Sequence, residues 1–218
     1  MNSLSHPDAA QTALLLKAIE SEQDWVIKRR IVLALGRGSS PDAVPVLKQL
    51  AGDSKAKLYV SATKALASHG AEGVNALVEF AGTGDGKLSP YAIRALSLTD
   101  DPTAVAPLLK MTESNNPAIQ SLAINALASR PTPEVQARLR ALLDGDNPQV
   151  LIAACKVLGA HKDKTAVPKL VELIVRSVKT LKSNPVREAA GNALDSLTDY
   201  RYGTFEMLWQ KALDEGRL

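Results

Sequence analysis

Three histidines, one cysteine and one glycine-rich loop are the features of this 218-residue chain whose residue types could support catalysis or metal binding. His6, His69 and His161 are far apart, none has a second histidine at helical ligand spacing, and no His-Glu-x-x-His occurs. A metallohydrolase site is therefore not expected. His69 and His161 each stand three residues after a leucine, Leu66 and Leu158, at equivalent points of two similar segments. A helix C-terminus favours histidine there through capping and the helix dipole, so their expected role is structural. Cys155 would need a histidine and an orienting group to act as a nucleophile. The sequence identifies neither, and a small buried hydrophobe is the expected role. Gly82-Thr83-Gly84-Asp85-Gly86 lacks the lysine of a phosphate cradle and follows a helical rather than a strand pattern. It reads as a turn. No catalytic residue, metal or cofactor is expected, and the chain reads as a non-enzyme.

Composition bounds what else the chain can be. Hydrophobic residues make up 45%, charged residues 22% and aromatics only 4%, a balance that suits closely packed helices and excludes wholesale disorder. Twenty-six Lys plus Arg against 23 Asp plus Glu leave a net charge of +3, too mild to make nucleic acid the default partner. A single cysteine excludes an intrachain disulfide and fits a reducing compartment. The first ten residues are polar, and no stretch approaches the run of apolar residues that a membrane span needs. A cytoplasmic, soluble location without a membrane partner is expected.

The elements that position these residues come from internal repetition. Ala-Leu recurs at Ala34-Leu35, Ala65-Leu66, Ala95-Leu96 and Ala126-Leu127, continues as Val157-Leu158 and returns as Ala193-Leu194, with leucine spacings of 31, 30, 31, 31 and 36. Ile31, Ala62, Ala92, Ala123, Ala154 and Ala190 stand four before those leucines, and Ile27, Leu58, Leu88, Ile119, Val150 and Val186 eight before. Such offsets trace one face of a helix. A preceding helix repeats through pairs three apart, from Leu16 and Ile19 to Leu170 and Leu173. Asn116-Pro117, Asn147-Pro148 and Asn184-Pro185 combine an N-capping side chain with a proline at the first helical position. The pattern predicts six helical hairpins, approximately 8–36, 41–68, 71–98, 101–129, 132–160 and 164–197, within a single domain over 1–218. The five extra residues of the sixth unit are expected to lengthen its first helix through Val171, Ile174, Val175, Val178 and Leu181.

Such units bury their apolar faces by stacking. Short hairpins that end in an Ala-Leu helix resemble HEAT-type repeats, particularly the compact bacterial HEAT-like variety. The first-helix signature Ala-Val-Pro-x-Leu stands at Ala43-Val44-Pro45-Val46-Leu47 and Ala166-Val167-Pro168-Lys169-Leu170. Only Val186-Arg187 keeps the family's Val-Arg opening of the second helix, with Ile27-Lys28 close. The resemblance implies an all-α, right-handed α-solenoid of about six hairpins with a C-terminal capping helix over 203–215. Tyr200, Tyr202, Phe205 and Trp209 are half of the chain's eight aromatics and fall in its last nineteen residues. They are read as the cover of the open end. Some HEAT-repeat hydroxylases bind iron through His-Glu pairs, and no such dipeptide occurs here.

In HEAT-type arrays the second helices line the concave face, which implies what this chain displays there. The outward offsets give a basic row over the first three units, with Arg29, Arg30, Lys57, Lys64, Lys87, Tyr91 and Arg94, followed by a more neutral stretch containing Lys156. Arg176, Lys179 and Lys182 form a second basic patch on the sixth unit. The expected function is a non-catalytic scaffold that binds another protein, with an acidic surface, along this face. The alternatives are nucleic-acid backbone binding, as in HEAT-like DNA-binding proteins, and a subunit resembling phycobilin lyases, which share compact HEAT-like repeats. The oligomeric state is open.

Overall fold

The computed structural model describes residues 6–53, 57–177 and 184–217. These residues form thirteen α-helices joined by turns and three short 3-10 segments, with no strand among them. The hairpins are α1 (Ala9–Ser21) with α2 (Trp25–Leu35), α3 (Val44–Gly52) with α4 (Tyr59–Leu66), and α5 (Gly70–Gly82) with α6 (Leu88–Leu96). They continue as α7 (Val105–Met111) with α8 (Pro117–Ala126), α9 (Pro133–Leu142) with α10 (Pro148–Ala160), and α11 (Val167–Arg176) with α12 (Asn184–Leu197). Helix α13 (Glu206–Asp214) closes the chain. The described helices pair into six hairpins ahead of α13. Of the lengthened first helix, α11 reaches Arg176, Ser177 continues it, and Val178 and Leu181 lie outside the described residues.

The helix boundaries follow from local chemistry. Asn116 and Asn147 accept hydrogen bonds from the first free amides of α8 and α10, directly ahead of Pro117 and Pro148. Asp8 and Gln11 form a reciprocal capping box on α1, and Asp24 caps α2. A recurrence that sequence reading passed over, Asp101-x-Thr103-Ala104-Val105 and Asp163-x-Thr165-Ala166-Val167, builds a 3-10 turn before α7 and α11. Each Asp accepts from the backbone N–H and the hydroxyl of its Thr.

The chain divides into two compact units, residues 1–107 and 108–218, with the boundary inside α7. In the first unit α2, α4 and α6 pack side by side, and α3 and α5 lie behind α4 and α6. The repeated Leu and Ala rows form its core: Leu35, Leu47, Leu66, Leu77 and Leu96 are at most 1% exposed. Small residues set the spacing, since a Cβ on Gly36 would stand 2.8 Å from Ala65 Cβ, and one on Gly73 would stand 2.0 Å from the Leu66 carbonyl oxygen. Ile27 departs from the expected pattern. Its counterparts Leu58 and Leu88 are buried, whereas Ile27 is 44% exposed because it belongs to the first hairpin, with no described repeat ahead of it.

The second unit packs α8, α10 and α12 side by side, with α9 behind α10 and α11 behind α12. Its core leucines and valines, including Leu127, Leu139, Leu151, Leu158, Leu170 and Leu194, are likewise buried. Of the four aromatics expected to cover the open end, Phe205 is 67% exposed and does not. Trp209 is fully buried, donates its indole N–H to the Gly203 carbonyl at 2.9 Å, and meets Tyr202 edge-on at 4.9 Å. Tyr202 in turn stacks on Tyr200, while α13 rests on α11.

Candidate functional site

The outward row of α2, α4 and α6 is displayed as the periodicity requires. On α2, Ile31, Val32 and Leu35 are buried, so the opposite side presents Val26, Arg29, Arg30 and Leu33, all exposed. On α4, the buried side of Ala62, Thr63 and Leu66 turns Val60 and Lys64 outward, with Lys57 just ahead of the helix. On α6, Ala92, Ile93 and Leu96 are buried and Lys87, Tyr91 and Arg94 stand outward. All seven residues expected on the first three units are therefore exposed in one unit, on three adjacent helices and the turns that lead into α4 and α6.

Two ring contacts fix this face. The Lys57 ammonium sits 4.8 Å from the centre of the Trp25 ring, a cation–π contact that holds the lysine beside α2. Tyr59 and Tyr91 meet edge-to-face with centroids 5.4 Å apart, which ties α4 to α6. Desolvation, and then Tyr91 beside it, push the Tyr59 phenol above its ordinary value, so it stays neutral and adds no anion.

The electrostatics of the face are one-sided. Arg29, Arg30, Lys57, Lys64, Lys87 and Arg94 make no ion pair with another described residue. The acids at its margin have other work: Asp24 accepts from the Val26 amide, and Asp85 from the amides of Lys87 and Leu88. Between the cations lie apolar side chains that are themselves open to solvent, with Val26, Leu33, Val60 and Tyr91 each 38–43% exposed. Trp25 at the start of α2 adds a further 43%-exposed ring.

The remaining predicted residues fall elsewhere. Lys156 is exposed on α10 of the second unit, where its neighbours on the outward row are neutral: Gln149, Ile152 and Ala153. Arg176 does not serve as the free docking cation that the sequence suggested. Its guanidinium is bound to the carbonyls of Leu143 and Gly145 at 2.8 Å and of Asp144 at 3.1 Å, where it caps the end of α9. Lys179 and Lys182 lie outside the described residues.

The groups first considered for chemistry have structural surroundings. Cys155 is fully buried, and burial pushes its thiol up to about 12, far from the thiolate that a nucleophile requires. Buried His69 donates from Nδ1 to the Ala65 carbonyl at 2.9 Å, and His161 places Nε2 3.1 Å from the carbonyls of Leu127 and Ala128. Both cap helix ends, His69 its own helix and His161 the end of α8. The Gly82–Gly86 turn positions the Asp85 cap of α6. Among the described residues no three His, Cys, Asp or Glu side chains come together as a metal site would need.

Antiparallel hairpins whose second helices pack side by side define a helical-repeat protein of the α-solenoid class. The chain belongs to the HEAT-repeat family: the family model for HEAT repeats matches residues 12–88 and again 74–152. Among solved structures it is similar to an engineered protein at 20% identity and a TM-score of 0.50, over 85% of this chain and 96% of that one. A designed armadillo repeat protein matches at 15% identity and a TM-score of 0.47, over 85% and 99% of the two chains. Human deoxyhypusine hydroxylase in complex with glycerol matches at 18% identity and 0.47, over 89% and 76%. At these identities the likeness concerns the fold alone. No curated protein matches the chain. No helix among the described residues is long and apolar enough to cross a membrane.

Proposed function

We propose that this HEAT-repeat chain is a non-catalytic scaffold that binds another protein through the α2–α4–α6 face of its first unit. One observation carries the reading: six cations that make no ion pair with another described residue alternate there with solvent-exposed apolar side chains. Exposed apolar area gains free energy when a partner covers it, and clustered cations steer an acidic partner and fix its orientation. Arg30, Lys64, Tyr91 and Arg94 are the anchors, since arginine and aromatic residues dominate such interfaces. The lone buried cysteine supports work in a reducing, cytoplasmic setting.

The same face is poorly suited to nucleic acid. Tyr91 is engaged edge-on with Tyr59, and one face of Trp25 is taken by Lys57, so the rings are not open platforms for stacked bases. Phosphates would leave Val26, Leu33 and Val60 uncovered. Full-length protein and a Lys64→Glu/Arg94→Glu variant are immobilised and exposed to nuclease-treated native lysate. Protein retained by the first and lost by the second supports the scaffold. Binding that disappears with nuclease and falls steeply with salt supports nucleic acid instead.

A further inference from the structure

The order of charges along the helices of this face identifies the shape of what would lie on it, an inference that rests on the protein-binding reading above. The row of α4 begins in the turn ahead of the helix, where Lys57, its ammonium over the Trp25 ring, is followed by Val60 and Lys64. Along α6 the order is again cation, apolar, cation: Lys87 at the N-cap, already in helical dihedrals, then Tyr91 and Arg94. Seven residues separate Lys87 from Arg94, with Tyr91 four after the first, so on α6 two positive sites about 10 Å apart flank one apolar site. Helices α4 and α6 are neighbours held together by the Tyr59–Tyr91 contact. Their two rows therefore lie side by side on one face.

We propose that this face takes an acidic amphipathic helix of a partner protein, lying along α4 and α6, with carboxylates at i and i+7 and an apolar anchor at i+3 or i+4. A helix advances 1.5 Å per residue, so its i and i+7 side chains match the spacing of the cations, and i+3 or i+4 projects from the same face midway between them. An extended segment covers 10 Å in three residues. Its side chains alternate in direction, so carboxylates three apart point to opposite faces. A polyproline helix does bring every third side chain to one face, but it places none between them for Val60 and Tyr91. Only the α-helix serves the cations and the apolar centre together. Next to α4, helix α2 carries the inverse order, Val26, then Arg29 and Arg30, then Leu33, which gives a longer partner a differently patterned edge.

The test uses the full chain and two fluorescein-labelled peptides of one composition, rich in Glu, Leu and Ala. In the first, Glu at i and i+7 and Leu at i+4 share a helical face over three heptads. In the second the order is shuffled so that they do not. Fluorescence anisotropy is expected to show binding of the patterned peptide at least about tenfold tighter than of the shuffled one, with roughly tenfold loss for Lys64→Glu/Arg94→Glu. Circular dichroism should show helix gained by the patterned peptide on binding. Because Lys64 and Arg94 lie in the last turns of α4 and α6, where cations favour the helix end, Lys64→Gln/Arg94→Gln is measured in parallel. It should weaken binding while retaining the helical spectrum. Equal binding of the two peptides, binding without gain of helix, or no binding at all would overturn the inference. A protein retained from lysate through Lys64 and Arg94 while the patterned peptide fails would leave the protein-binding reading standing and remove only this helix.

Discussion

The two units are built from the same hairpin and use their basic residues in opposite ways. In the second unit several cations are turned to backbone carbonyls or to a buried carboxylate. Arg138 donates to the hydroxyl and carbonyl of Thr112 at the end of α7, Arg176 caps α9, Lys162 reaches the Ser196 carbonyl on α12, and Arg140 pairs with the buried carboxylate of Asp163. In the first unit Arg29, Arg30, Lys57, Lys64, Lys87 and Arg94 stand on the outward face, and none forms an ion pair with another described residue. Helix C-termini leave carbonyls that need donors. The second unit supplies them from neighbouring repeats. In the first, Ser68 bridges to the Gly36 carbonyl and buried His69 bonds Ala65, so the long cations remain available for other contacts. The contrast separates arginines that hold the repeat stack together from arginines that could hold a partner.

The strongest way to break this comparison is to cut its most buried charge. Removing Arg140 strands the Asp163 carboxylate, whose side chain is only 3% exposed. Arg140→Ala should therefore destabilise the protein by about 3 kcal/mol, somewhat reduced by the accessible side of the arginine. Lys64→Ala should stay within about 0.5 kcal/mol. Urea unfolding checks both, and equal losses would erase the distinction between the units. The next effect is smaller and compares two arginines directly. Arg176→Ala gives up three carbonyl bonds at the end of α9 and should cost about 1–2 kcal/mol. Arg94→Ala should leave stability nearly unchanged while weakening partner binding. If Arg176→Ala is as neutral as Arg94→Ala, Arg176 is not a structural cap.

The face was legible in the sequence for the same reason that the fold was. A 31-residue period fixes which side of each second helix is buried, so the side that remains exposed can be named residue by residue. Arg30, Lys64 and Arg94 were found in this way. The role of Arg176 was not legible, because its carbonyl partners lie 31 to 33 residues earlier and backbone acceptors leave no mark in side-chain identity. The Arg140–Asp163 pair was half legible: the repeated Asp-x-Thr-Ala-Val marks the capping aspartate, but it does not show that one copy is buried against an arginine. Exposure of Ile27 escaped the periodicity because the first repeat has the pattern of a core residue without a described neighbour to cover it.

The smallest expected effect sharpens the contrast from the side of the first unit, where a buried histidine caps its own helix, whereas in the second His161 and Arg176 reach back to the preceding repeat. His69 is 4% exposed, and its Nδ1–H bond to Ala65 leaves a buried Nε2 with no hydrogen-bond partner among the described residues. Protonating Nε2 would place a charge and a new donor in that setting, and burial accordingly lowers the imidazole below its ordinary value, outweighing the Ala65 bond. The unfolded chain binds a proton near pH 6.5 and the native chain only at lower pH, so between those values the unfolded state carries more protons. Stability therefore falls as pH drops from about 6.5 and levels off below the native value. Urea unfolding of the protein and of His69→Gln between pH 8 and pH 5 isolates this contribution, since the other groups titrate in both. The advantage of His69 over glutamine should shrink steadily toward pH 5. A difference that is constant across the range would mean that His69 titrates alike in both states and that its burial does not exclude the proton.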